Sequence, residues 1–200
     1  MKIIVIGATG TIGREVVKAL SADHEVVRIA LKDADIVADI TSKASIESMY
    51  RKVGPFDAVA SPAGYAKFGT LDELTDEDYL MGLTNKLMGQ VNLVRIGRSY
   101  INDNGSFTLT SGVLSQEPMP GSTSLSMVNA AIEGFVRAAA LEMTRGIRIN
   151  VVSPIFVTET AEAMGLTITP TIPAAKVALV FKESIEGHRN GEVVDVRKFV

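Results

Sequence analysis

The stretch Gly7-Ala8-Thr9-Gly10-Thr11-Ile12-Gly13 limits the possible folds more than any other part of this chain. It follows a short apolar run, Lys2 to Ile6, and opens a segment, Thr11 to Leu20, in which Ile12, Val16, Val17 and Leu20 fall at helical spacing. A strand that exits through glycine into a helix separates a dinucleotide-binding turn from a chance glycine cluster. Gly7 permits the sharp exit from the strand, Gly10 lets main chain approach a pyrophosphate, and Gly13 lets the helix pack close to the sheet. With Thr9, Thr11 and Ile12 completing the loop, the helix N-terminus offers free N–H groups and a partial positive charge to phosphate. The loop lacks the Gly-Lys-Ser/Thr ending of a nucleoside-triphosphate site, which argues against ATP or GTP. The plainer alternative is a βα turn that uses glycine for geometry alone; position, spacing and strand context together favour the dinucleotide.

The rest of the chain repeats the alternation. Strand candidates are residues 2–6, 25–30, 57–60, 106–110, 148–152 and 192–196, several of them apolar without alternation, as in a parallel sheet covered on both faces. Helical patterns run over 11–20, 76–100, 129–143 and 173–186, the last opening on Pro173. Together they predict an α/β protein: a Rossmann-like, doubly wound parallel sheet of about seven strands with helices on both faces. No internal repeat or low-complexity linker divides the chain, so residues 1–200 read as one NAD(P)-binding domain. The least regular stretch, 156–172, reads as a loop or lid.

Composition narrows the partners. A formal net charge of −3 with scattered basic residues offers no broad attraction for nucleic acid or anionic membrane. No apolar run approaches the ~18 residues of a membrane span, and the opening Met1 to Ile6 is too short for a signal peptide, so a cytoplasmic protein is expected. Without cysteine, disulfides, thiolate metal sites and cysteine nucleophiles are excluded. His24 and His188 lie far apart, which argues against a zinc site and for solvated surface roles. The specificity of the dinucleotide site turns on the end of the second strand, where an acidic residue would hold the ribose 2′-hydroxyl of NAD. Here Lys32 stands ready for a 2′-phosphate, beside Asp33. NADP is therefore preferred, with NAD as the alternative; a solvated turn residue is the plainer reading of Lys32.

Beyond the glycine loop, a series of motifs resembles the short-chain dehydrogenase/reductase family over nearly the whole chain. In order they are Asp39-Ile40, Ala63-Gly64, Lys86 to Gly89, Thr110-Ser111-Gly112, Ala130 to Phe135, and Asn150-Val151-Val152-Ser153-Pro154. The resemblance implies that Asp39 and Ile40 contact adenine, that Ala63 and Gly64 pass beneath the cofactor ribose, and that Pro154 to Val157 face the nicotinamide. A cap or turn residue is the plainer reading of Asp39. The resemblance also implies pairing through the helices at 76–100 and 129–143 into a homodimer or homotetramer, which Ala138-Ala139-Ala140 and Met143 would suit.

Family chemistry requires a serine, and a tyrosine and lysine four apart. The tyrosine passes a proton to the carbonyl, the lysine lowers its pKa and grips the ribose, and the serine bonds the developing alkoxide. Aligned on Ala130 to Phe135, the tyrosine position is Leu125 and the lysine position Asn129. No Tyr-x-x-x-Lys occurs after Tyr50, Tyr65, Tyr79 or Tyr100. Pro62 stands where the family's Asn-Ala-Gly begins, Lys86 stands at the asparagine position of the long helix with Asn85 beside it, and Ile155 replaces a glycine. Ser111 or Gly112 falls at the serine; Ser111 either polarises a carbonyl or bonds main chain at the strand end. Lys86 and Tyr65 are candidate surrogate acids, set against the ordinary readings of a surface lysine and a loop tyrosine. The catalytic residues are thus left unassigned. The leading expectation is an NAD(P)-binding oxidoreductase of a small carbonyl or alcohol with a degenerate active site; the alternatives are a non-catalytic, nicotinamide-responsive regulator and a structural relic.

Overall fold

The computed structural model describes residues 1–199, so the last residue of the expected 1–200 unit lies outside the described residues. Strands β1 (Lys2–Ile6), β2 (Glu25–Ala30), β3 (Ile36–Val37), β4 (Phe56–Ala60), β5 (Ile101–Thr110), β6 (Arg148–Ser153) and β7 (Val193–Asp195) form one sheet. Its order is β3-β2-β1-β4-β5-β6-β7, with every neighbouring pair parallel. The helices are α1 (Thr11–Leu20), α2 (Lys43–Val53), α3 (Asp76–Gly82), α4 (Met88–Gly97), α5 (Thr123–Glu142), α6 (Thr158–Ala163) and α7 (Ala174–Glu186). This is the doubly wound α/β architecture that the alternating pattern predicts.

Strand β1 shows why both faces must be covered. Its residues alternate between two cores: Ile4 and Ile6 pack with Ile46, Tyr50, Leu93 and Ile132 of α2, α4 and α5, while Ile3 and Val5 pack with Val16, Leu20, Val177 and Phe181 of α1 and α7. An unbroken apolar run is therefore the correct composition for this strand. The order reverses between β1 and β4, and the loops leaving these two strands flank the crevice where ligands of such sheets bind.

Several elements differ from expectation. The helix expected over 76–100 is α3, a five-residue π turn at Leu83–Leu87, and α4, which stops at Gly97. Helix α5 starts six residues before the predicted Asn129, because Ser122, Thr123, Ser124 and Ser126 mask the helical period with hydroxyls. Strand β5 reaches back to Ile101 through the exposed Asn102, Asp103 and Asn104. The 156–172 segment contains α6 and a bridge between Val157 and Ile172. Helix α2, not anticipated, is amphipathic through Ile46, Met49, Tyr50 and Val53, with Ser42 capping the Ser45 amide. His24 is not solvated as expected: its side chain is only 11% exposed, and Nε2 lies 2.9 Å from Glu186 Oε1. Among the described residues no helix is long and apolar enough to cross a membrane, and no group of three or more His, Cys, Asp or Glu gathers to hold a metal.

Candidate active site

The turn after β1 is set by one close approach. A Cβ on Gly13 would lie 1.9 Å from the Gly7 carbonyl oxygen, so α1 can pack this tightly only with glycine there. The N-cap of α1 is Gly10, which has no side chain to satisfy the first amides of the helix. Those N–H groups are left for an anion, and the cradle fits a diphosphate.

A groove of about 400 Å³ leads away from this cradle, lined by Gly7, Thr9, Gly10, Lys32, Asp39 and Ile40 and floored by Pro62, Ala63 and Gly64. The same three floor residues continue into a second cavity of about 220 Å³, lined by Ile12, Lys86, Ser111, Leu125, Asn129, Pro154 and Val157 among others. The two share an edge and form one trough over the carboxyl ends of β1, β4 and β5. Of the thirteen residues expected to bind cofactor, only Thr11 and Gly13 line neither part. Thr11 is exposed on α1, and Gly13 is buried against the Gly7 carbonyl, so its contribution is packing rather than contact. Asp39 lines the groove and also builds a turn, its Oδ1 accepting from the Thr41 amide and hydroxyl at 2.8 Å each. Lys32 borders the groove whereas Asp33 does not.

The surface reading of Lys86 is wrong. The π turn brings the residue inward, where it is 9% exposed. Such turns are rare and gather at functional sites. Gly64 makes room for it, since a Cβ there would lie 2.7 Å from Lys86 Cγ. The Lys86 ammonium donates to the Ser111 carbonyl at 3.1 Å and to Asn129 Oδ1 at 2.7 Å. Burial disfavours its charged form and lowers its pKa to about 8. Tyr65, the other candidate acid, is a 57% exposed loop residue whose amide donates to Asn85 Oδ1.

Two residues that sequence reasoning overlooked hold this arrangement together. Gln90, fully buried on α4, donates to the Lys86 and Thr110 carbonyls and accepts from the Thr110 amide, tying the π turn to the end of β5. Glu133, 3% exposed on α5, accepts from Ser111 Oγ at 3.1 Å, from Ser115 Oγ at 2.6 Å and from Arg137 at 3.4 Å. The Ser111 hydroxyl is thus committed to a carboxylate rather than to main chain, and its proton is engaged before any ligand arrives. The only available signals were a glutamine amid the apolar period of α4 and an acidic residue inside an alanine-rich helix.

A protein-family profile described as enoyl-(acyl carrier protein) reductase matches residues 2–198. The hydroxynaphthalene reductase arp2 of Aspergillus fumigatus is 31% identical over 153 residues, covering 74% of this chain and 54% of that reductase. This chain belongs to the short-chain dehydrogenase/reductase family. It spans about half the length of the Aspergillus reductase, as that 54% states. An uncharacterised oxidoreductase of Methylorubrum extorquens is 24% identical over 188 residues, covering 82% of this chain and 76% of that protein. Among solved structures, the protein lin1944 of Listeria innocua superposes with a TM-score of 0.95 at 42% identity, over 98% of this chain and 99% of that one. A small-chain dehydrogenase in complex with NADPH gives a TM-score of 0.84 at 25% identity, over 98% and 95% of the two chains. In this short-chain dehydrogenase/reductase, Leu125 and Asn129 lie one turn apart on α5 and both line the inner cavity.

Proposed function

We propose that the chain binds a nicotinamide dinucleotide along the trough and uses it to interconvert a small carbonyl compound and its alcohol, with a degenerate family active site. The observation that carries this reading is the continuity of the trough: a glycine-built anion cradle at one end and a small, largely apolar cavity headed by Lys86, Ser111 and Asn129 at the other. When bound, the dinucleotide supplies or accepts hydride. The chain's own residues do the rest. Free amides at the start of α1 hold the diphosphate. Asp39 and Ile40 flank the adenine end, Ala63 and Gly64 lie beneath the ribose, and Pro154 and Val157 border the nicotinamide end. Leu125, Leu114 and Phe156 give the inner cavity apolar walls that exclude water from a small substrate. Lys32 at the groove edge, and the NADPH complex of the 25%-identical dehydrogenase, favour NADP over NAD. We place the protein in the cytoplasm, as a homodimer or homotetramer.

One observation favours a second reading, a nicotinamide-responsive regulator without turnover: Leu125 has no proton to give where the family resemblance puts a tyrosine. The discriminating experiment follows NADPH and NADH oxidation at 340 nm with a panel of short aldehydes, ketones and quinones. Turnover that saturates in NADPH at micromolar concentration is the expected result. Saturable NADPH binding with no turnover across the panel would replace the oxidoreductase by the regulator.

A further inference from the structure

A lysine side chain has three N–H donors as an ammonium and two, with a lone pair, as a neutral amine. Lys86 Nζ has two partners, the Ser111 carbonyl at 3.1 Å and Asn129 Oδ1 at 2.7 Å. Both are acceptors only, so the lysine donates in each bond. Asn129 Oδ1 is held in place because the Asn129 amide nitrogen donates to the Gly112 carbonyl at 3.3 Å. As an ammonium, Lys86 therefore keeps one uncommitted N–H; as an amine, it keeps both bonds and gains a lone pair. Losing one proton breaks nothing around it.

The same side chain lines the inner cavity and is the one charged side chain to do so among the described residues. No carboxylate contacts it. From α5, Glu133 is occupied by Ser111, Ser115 and Arg137. From α3, Asp78 pairs with Lys67, and Tyr65 of the facing loop is exposed. An ammonium buried without a counter-ion is costly to keep, and an oxygen that develops negative charge in the cavity would relieve that cost.

We infer that Lys86 is the proton donor of this site, passing a proton from Nζ to the oxygen of a carbonyl compound bound in the inner cavity. The inference rests on the oxidoreductase reading above. In the balanced step the C=O π bond breaks, the carbonyl carbon takes hydride from a reduced nicotinamide dinucleotide, and the oxygen takes the Lys86 proton. The products are an alcohol, the oxidised dinucleotide and a neutral amine, which regains its proton from solvent. In the reverse direction the amine accepts the alcohol proton. Ser111 and Asn129 act as positioning residues, and Leu125 lines the same cavity as an apolar wall.

Two measurements test this on the intact protein. The first is an NMR pH titration of lysine side chains in ¹³C,¹⁵N-lysine-labelled protein, with Lys86 assigned by its loss in Lys86→Met. A midpoint near 8 is expected for Lys86 while exposed lysines titrate near ~10.4. A midpoint of 10 or above overturns the inference, whatever the activity. The second compares wild type, Lys86→Met and Lys86→Arg for NADPH affinity and for reduction of the aldehyde, ketone and quinone panel. Expected are unchanged NADPH affinity and a kcat reduced by about 10²–10⁴ in both variants, since arginine keeps the charge but holds its proton. Undiminished kcat in Lys86→Met overturns the donor role. NADPH binding without wild-type turnover overturns the oxidoreductase reading and the donor role with it. Failure to bind NADPH or NADH overturns the cofactor reading and the donor role with it, whereas a midpoint of 10 or above with turnover intact overturns the donor role alone.

Discussion

Lys32 stands exposed at the edge of the outer groove, on the turn after β2, with neighbouring Asp33 outside the lining. A lone ammonium there offers a point charge to a 2′-phosphate and nothing comparable to a 2′-hydroxyl. Lys32→Ala should therefore weaken NADPH binding roughly tenfold, about 1.4 kcal/mol, and leave NADH nearly unchanged; equal losses by fluorescence titration would remove the NADP preference. Lys86 makes a second residue-scale prediction through linkage. Its folded pKa, about 8, lies below the ordinary lysine value of 10.5, so folding favours the neutral form. The unfolded chain then binds more protons between these values, and stability must rise with pH across that window. Relative to Lys86→Met, wild type should gain about 2 kcal/mol between pH 8 and pH 10 in urea denaturation; no gain would mean that burial does not disfavour the ammonium. The sequence could not reveal this burial. Flanked by Asn85 and Leu87 on a helix with an ordinary period, Lys86 reads as solvated, and only the π turn at Leu83–Leu87 carries it inward.

At the scale of elements, the turn from β1 to α1 was legible because its chemistry is local: glycine spacing alone dictates how closely helix and strand approach. Two helical glycines give a matched test. A Cβ on Gly13 meets the Gly7 carbonyl oxygen at 1.9 Å, whereas a Cβ on Gly134 meets nothing within 4 Å. Gly134→Ala, at an exposed position on α5, should stabilise by about 0.8 kcal/mol through helix propensity. Gly13→Ala should destabilise by roughly 2 kcal/mol or more through overpacking and weaken NADPH binding at least tenfold. A Gly13→Ala protein with wild-type melting temperature and affinity would show that the turn tolerates a side chain. Helix α2 and the start of α5 were harder to read, because tertiary burial of Tyr50 and a run of serines outweigh the local period. Strand β3 has only two residues and leaves no periodic signal at all.

The whole molecule was the most legible level, since a parallel sheet covered on both faces demands apolar segments such as Ile3–Ile6 of β1, Ala58–Ala60 of β4 and Val151–Val152 of β6. Assembly is less so. The outer face of α4 and α5 carries a groove lined by Val94, Phe135, Ala138, Ala139 and Met143 together with Arg95, Arg98 and Glu142, and Leu141 of α5 is 89% exposed. If a second copy covers this face, Ala138→Glu with Leu141→Asp should lower the mass in light scattering to that of one chain while circular dichroism stays unchanged. An unchanged oligomer would move the interface elsewhere, and a monomeric wild type would remove it.

The most direct single test is a calorimetric titration of the wild-type protein with NADPH at pH 7. Saturable heat at one equivalent per chain, with a dissociation constant in the micromolar range, is the predicted outcome. A flat trace up to millimolar NADPH would contradict the assignment of the glycine cradle to a diphosphate.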